Sequence, residues 1–174
     1  MQQITITRKF TFDAGHRVYG HESKCKSIHG HTYHVELECS AQQLDNLGRV
    51  IDFSVIKAIV GTWIDDNLDH ALILNYEDPL VDLMRNINNP SDKNQNYELF
   101  KLIGIQKFYV MGSNPTAENI AKHIADCNSL HLLKLGIQIE SVTVHETPNC
   151  KAIFKPLQMN EFKIQDKIEC EDGC

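Results

Sequence analysis

No apolar run in this chain approaches the ~20 residues that cross a bilayer as a helix. Lys and Arg never gather into a block and the net charge is −6, which argues against a nucleic-acid-binding surface. A local basic pocket for a phosphorylated substrate stays compatible with that balance. The N-terminus, MQQITITRKF, lacks the apolar segment of a secretory signal. No H-E-x-x-H signature is present, which sets aside a common zinc-hydrolase design. Neither an internal repeat nor a low-complexity tract interrupts the 174 residues, a length suited to one domain. Six cysteines occur, but irregularly spaced, without an export signal and beside nine histidines. That combination predicts free thiols and a cytoplasmic location. The hydrophobic content of 42% and charged content of 23% are those of a soluble globular protein.

What the chain does have is a dense stretch from Phe12 to His31, FDAGHRVYGHESKCKSIHGH, carrying His16, His21, Cys25, His29 and His31. His29 and His31 are two apart and lead into a run that alternates polar and apolar like a strand. Positions i and i+2 of a strand share a face, so both imidazoles leave the side shared with Tyr33, Val35 and Leu37. His16 ends an earlier strand-like run and supplies a third nitrogen if the two strands pair. Three histidines around an open fourth position are the arrangement of a catalytic zinc site. Cys25, four residues before His29, is then a fourth ligand, or a thiolate nucleophile or base beside the metal. His34 has the wrong parity to join, and His21 has no motif behind it.

Residues 3–12 alternate well enough for a first strand, followed by a loop over 13–28 and a second, antiparallel strand over 29–40. Ser54 is placed to cap a helix whose stripe is Val55, Ile56, Ile59, Val60, Trp63 and Ile64, ending near Asn67. Asp78 and Pro79 open a short helix with Leu80, Leu83, Met84 and Ile87 on one side. Residues 88–96 read as a surface loop and 105–111 as a short strand. Thr116 caps the next helix, with Ile120, Ala121, Ile124 and Ala125 buried and Gly136 closing it. Residues 137–146 form a strand whose phase slips, predicting a bulge near Ser141. Glu146 shares parity with Val142 and Val144 and so points inward, where a carboxylate needs a partner. A last strand covers 150–154, and a polar tail follows over 155–174. The expected class is α+β, a four-stranded antiparallel sheet with two main helices on one face.

The H-R at 16–17, C-x-x-x-H-G-H at 25–31, L-D-H at 68–70, N-P-T-A-E-N at 114–119 and V-H-E-T at 144–147 follow one another in an order that resembles the 6-pyruvoyl-tetrahydropterin synthase family. The likeness covers roughly residues 3–154 and is closest to the 6-carboxytetrahydropterin synthases of its queuosine branch. In that branch three residues separate the cysteine from H-G-H, as Lys26, Ser27 and Ile28 do here; the 6-pyruvoyl branch has a longer gap. Position 25 is Cys and position 26 is Lys, so the glutamate variants of the motif, which make a folate precursor, do not apply.

The resemblance implies a tunnelling fold, in which single-domain subunits join edge to edge into a trimeric barrel and two trimers stack. It implies a Zn²⁺ cofactor on His16, His29 and His31, and a dihydropterin triphosphate substrate. Nucleic acid and membrane are not expected partners. Cys25 becomes the catalytic base, with His70 its relay partner and Asp69 orienting the imidazole. Glu146 becomes the carboxylate that takes two N–H bonds from the pterin edge and joins the relay. Thr116 and Glu118 become a second pterin-side pair, although a helix cap with a first-turn acid explains Glu118 equally well. Residues of about 75–110 stand as an insertion relative to that family. The rival of another class is a non-enzymatic zinc-binding module with Cys25 closing a four-ligand site.

Overall fold

The computed structural model describes residues 4–157. Its spine is the antiparallel pair β1 (Thr5–His16) and β2 (His29–Ala41), in continuous register from Thr5↔Ser40 to His16↔His29. β1 therefore runs four residues past the expected end at Phe12. Ala14 and Gly15 are too small to signal alternation, yet the ladder continues through them. Phe12, Ala14, Tyr33, Val35 and Leu37 are buried on one face, while Thr5, Thr7, Lys9, Thr11 and Asp13 are exposed on the other.

β5 (Ile137–Thr147) pairs antiparallel with β2, and β6 (Cys150–Phe154) antiparallel with β5. The predicted slip is real: Ser141 faces Glu38 and Ile139 faces Cys39, so Glu140 is the extra residue of a bulge. These four strands are the antiparallel sheet the sequence predicts. Two more extend it, so the sheet has six strands and is mixed. β3 (Leu72–Asn75) runs parallel to β1, and β4 (Phe108–Met111) parallel to β3, giving the order β4-β3-β1-β2-β5-β6. β3 escaped prediction because four residues are too few to show a period. β4 was anticipated as the short strand within 105–111.

Two helical segments cover the buried face. α1 (Phe53–Ile56) passes through a π-helical turn (Lys57–Gly61) into α2 (Thr62–Asn67). The cap is Asp52 rather than Ser54: its carboxylate accepts from Ser54 N–H at 2.8 Å and from the Ser54 hydroxyl at 2.7 Å. Burial of Ile56, Val60 and Ile64 follows the predicted stripe. After residues 75–110 comes α5 (Ala117–Leu133), capped by Thr116 and burying Ile120, Ala121, Ile124 and Ala125 against the sheet. Gly136 closes it at φ 75°, a left-handed conformation that costs glycine little.

Residues 75–110, expected as an insertion, are folded. α3 (Leu80–Asn88) starts where Asp78 accepts from Leu80 N–H at 2.8 Å. Val81 and Met84 bury against Leu74, whereas Leu83, expected inside, is 42% exposed. A second helix, α4 (Tyr97–Ile103), follows the polar turn and was not expected. Asn88 and Gln106 clasp the two ends, Asn88 Nδ2 donating to Gln106 O and Gln106 N–H to Asn88 Oδ1, each at 2.8 Å. Among the described residues no helix is long and apolar enough to cross a membrane. Most of the predicted polar tail, with Cys170 and Cys174, lies outside the described residues.

Candidate metal and pterin site

The last rung of the β1–β2 ladder places His16 opposite His29, and His31 follows on the same face. The three rings meet: centroids are 4.4 Å apart for His16–His29, 5.2 Å for His16–His31 and 5.0 Å for His29–His31. One ring nitrogen from each lies within 4.8 Å of the other two, a group able to hold a metal ion. Gly30 lets the strands close here, since a Cβ on it would stand 3.1 Å from the Ala14 carbonyl oxygen.

The hydrogen bonds of these rings decide which nitrogens are free. His16 Nδ1–H donates to the Pro115 carbonyl at 2.7 Å, and His29 Nδ1–H to the Ser27 carbonyl at 2.8 Å. Both Nε2 atoms are thus left as bare lone pairs, the usual second bond of a metal-binding histidine. His16 Nε2 is buried and has no hydrogen-bond partner. A buried orphan of that kind is costly unless something fills it. Burial above all, and then His29 and His31, hold His16 below its ordinary pKa of 6.5, against the opposing pull of the Pro115 carbonyl and Glu146. Neutral imidazole is the metal-binding form, so the donor set fits a zinc ion.

Glu146 sits beside the triad. Its Oε1 is 3.5 Å from His16 Nε2 and 3.8 Å from His31 Nε2. The inward direction predicted from parity holds. Tyr33 packs edge-on to His16 and His31, with its hydroxyl buried and unpartnered. Burial, then the Glu146 charge, pushes its pKa up.

Cys25 lies half-buried in a 3₁₀ turn (Lys24–Lys26), its carbonyl accepting from Val18 N–H at 2.9 Å. Its sulfur is not among the atoms gathered with the histidines. Asp69 orients His70 as expected: Asp69 Oδ2 accepts from His70 Nδ1–H at 2.7 Å, while Oδ1 accepts from Asp13 N–H at 2.9 Å. His70 stands 76% exposed and is the one non-glycine residue with positive φ, 56°, among the described residues. Among the described residues no hydrogen bond joins Cys25 to His70. A groove of about 770 Å³ is lined by His31, His70 and Thr32 together with Met84, Ile103 and Gln106 of the 75–110 segment. Thr116 accepts from Asn119 N–H at 3.4 Å, and Glu118 is exposed in the first turn of α5. His21 and His34 bond locally, to Ser23 N–H and to the Thr11 hydroxyl, away from the triad.

Two structural features beside the site escaped sequence reasoning. Asn114 brackets the loop after His16, accepting from Tyr19 N–H and donating to Tyr19 O, each at 2.9 Å, next to the Pro115 carbonyl that orients His16. Arg17 grips buried Asp78 through two nitrogens, Nε at 2.6 Å and Nη2 closer still. An Asn-Pro pair before a helix hints at such a bracket; nothing in the sequence signals the Arg17–Asp78 pair.

Comparison with known proteins bears on the fold and the family. The family model of 6-pyruvoyl tetrahydropterin synthase matches residues 5–156. A Rickettsia felis protein named 6-carboxy-5,6,7,8-tetrahydropterin synthase is 40% identical over 149 residues, covering 84% of this chain and 96% of its own. A Haemophilus influenzae protein of the same name is 32% identical over 152 residues, with 82% and 92% covered. Among solved structures, an uncharacterized Wolinella succinogenes protein superposes with TM-score 0.72 at 24% identity, over 90% of this chain and 100% of that one. Plasmodium falciparum 6-pyruvoyl tetrahydropterin synthase gives TM-score 0.60 at 20% identity, over 90% and 99%. With most of its length matched by the family model, the chain belongs to the 6-pyruvoyl tetrahydropterin synthase family.

Proposed function

We propose that the chain is a zinc-dependent 6-carboxy-5,6,7,8-tetrahydropterin synthase of queuosine biosynthesis. Its reaction takes 7,8-dihydroneopterin triphosphate and water to 6-carboxy-5,6,7,8-tetrahydropterin, acetaldehyde and triphosphate. The observation that carries this reading is the meeting of three histidine nitrogens, two of them stripped of other bonds, at the end of the β1–β2 ladder. The relatives' names and the three-residue gap between Cys25 and His29 support the 6-carboxy branch.

His16, His29 and His31 would hold the zinc, which supplies Lewis acidity toward the substrate's side-chain oxygens and so acidifies the neighbouring C–H. Cys25 takes that proton as the base, and His70, oriented by Asp69, passes it on. Glu146 accepts from the amino-pyrimidine edge of the pterin, with Thr116 and Glu118 on its other side. The groove beside His31 and His70 is of a volume that suits a ligand of this size. The chain works as one domain over residues 1–174, with the 75–110 insertion walling the groove. The outer edges of β4 and β6, unpaired among the described residues, favour closure into a trimer or a dimer of trimers. Free thiols at Cys25, Cys39, Cys127 and Cys150 suit a reducing cytoplasm.

The test is incubation with dihydroneopterin triphosphate and identification of the products by mass. A 6-carboxy pterin with acetaldehyde is expected. A 6-pyruvoyl product would move the chain to the other branch, and an untouched substrate would overturn the enzymatic reading. X-ray absorption addresses the non-enzymatic module: a strong Zn–S signal in the resting protein would favour it.

A further inference from the structure

Two neighbours in sequence, Asn114 and Pro115, bond at once to the histidine triad and to the loop that carries Cys25. The Pro115 carbonyl accepts from His16 Nδ1–H at 2.7 Å. The Asn114 side chain reaches Tyr19 by two bonds of 2.9 Å, accepting from its N–H and donating to its carbonyl. Tyr19 offers only its backbone to this pair, as a strand edge would. A planar amide, with one acceptor and a donor side by side, is the side chain that matches it.

From Tyr19 the connection to the thiol is brief. Val18 N–H donates to the Cys25 carbonyl at 2.9 Å and His21 N–H to the Val18 carbonyl at 3.2 Å, which folds the loop back on itself. Ser27, two residues past Cys25, gives its carbonyl to His29 Nδ1–H at 2.8 Å. Cys25 thus hangs between two members of the triad, and Asn114 grips the chain on the His16 side. The grip is itself anchored. The Asn114 carbonyl accepts from Thr116 N–H at 2.8 Å and from Asn119 Nδ2 at 2.9 Å, which ties it to the start of α5. Asn75 Nδ2, at the end of β3, donates to Asn114 Oδ1 at 3.3 Å.

We propose that Asn114 is a positioning residue that sets the Cys25 thiol at its working distance from the metal site. The inference rests on the metal and base roles proposed above and goes beyond them. Pro115 aims a ligand and Asn114 aims the base, so one turn keeps the two in step. A base displaced by about 1 Å costs on the order of 100-fold in rate, without any group that touches substrate having changed.

The test uses the full chain, stripped of metal and reloaded with Zn²⁺, in wild type, Asn114→Ala, Asn114→Asp and Asp52→Ala. Asn114→Asp keeps the shape and the acceptor and loses the donor to Tyr19, so it carries the test if Asn114→Ala does not fold. Asp52→Ala removes the cap of α1, beside Ile4 and Ile6 and away from the loop, and supplies a loss of stability alone. Three quantities are read: Zn²⁺ affinity against a chromophoric chelator, turnover of dihydroneopterin triphosphate, and the rate at which iodoacetamide alkylates Cys25, followed by peptide mass with and without Zn²⁺. In wild type Zn²⁺ should speed alkylation of Cys25, because a nearby cation favours the thiolate. Both Asn114 variants should keep wild-type Zn²⁺ affinity and KM, lose that acceleration and fall about 100-fold in kcat. Asp52→Ala should unfold at a lower temperature and keep both acceleration and kcat. Wild-type kcat and acceleration in the Asn114 variants would overturn the inference. So would a loss of kcat matched by an equal loss of Zn²⁺ affinity, which would place Asn114 behind His16, or the same losses in Asp52→Ala, which would reduce the effect to stability. Wild type that neither turns over nor alters its Cys25 rate with Zn²⁺ would overturn the proposed function, and this inference with it.

Discussion

At the scale of single residues, the proposed function gives holding a metal and doing chemistry to different side chains. His31 belongs to the nitrogen triad, and Cys25 does not. His31→Ala should therefore lose both bound zinc, measured by elemental analysis, and turnover. Cys25→Ala should keep its zinc and lose at least about 100-fold in kcat, the scale of a removed general base. Retained activity in Cys25→Ala would take the thiol out of the reaction. The triad was legible because strand parity is a strict rule, and i, i+2 histidines can only share a face. The contacts that aim it were not. The carbonyls of Pro115 and Ser27 carry no residue identity, so no sequence pattern announces them. Cys39 shows the converse: a cysteine in the β2 alternation, buried, its pKa pushed up to about 12 by burial and then by Glu140 and Glu38, and chemically quiet.

At the scale of elements, periodicity exposed the long strands and helices and missed what depends on tertiary pairing. β3 exists because β1 offers it an edge, and α4 because α3 and the Asn88–Gln106 clasp give it somewhere to end. The cap shifted from Ser54 to Asp52 because a carboxylate two residues earlier reaches both the Ser54 N–H and its hydroxyl. The 75–110 segment is tied to the loop after His16 by Arg17 and Asp78, a link that only the folded chain reveals. Burial raises the Asp78 pKa, but the Arg17 bonds and the Leu80 N–H outweigh it and leave it below the ordinary 3.8. A carboxyl depressed in the folded state adds stability above its unfolded pKa and loses it as pH falls through the folded value. Asp78→Asn should thus cost about 3 kcal/mol near pH 7, with the gap from wild type shrinking below about pH 4. Urea unfolding at both pH values checks this; an equal gap at each would deny the charge its role.

At the scale of the whole molecule, the sheet ends in β4 and β6, which among the described residues pair with no strand on their outer sides. The antiparallel half of the sheet was readable from alternation and from the phase slip at Ser141. Assembly was not, because edge exposure is a property of the finished sheet. Light scattering on the purified chain should report three or six times the 19.9 kDa protomer mass. A monomer at micromolar concentration would mean the edges are protected in some other way.

His70 keeps a backbone twist that a side chain resists, at φ 56°. Any residue there is a compromise, and glycine would be the comfortable occupant. His70→Gly should unfold at a temperature equal to or higher than wild type, by a gain of up to about 1 kcal/mol, while turnover collapses. A ring held at so unrelaxed a backbone, tied to Asp69 and lining the groove, is the place where a gain in ease and a loss of chemistry should come apart.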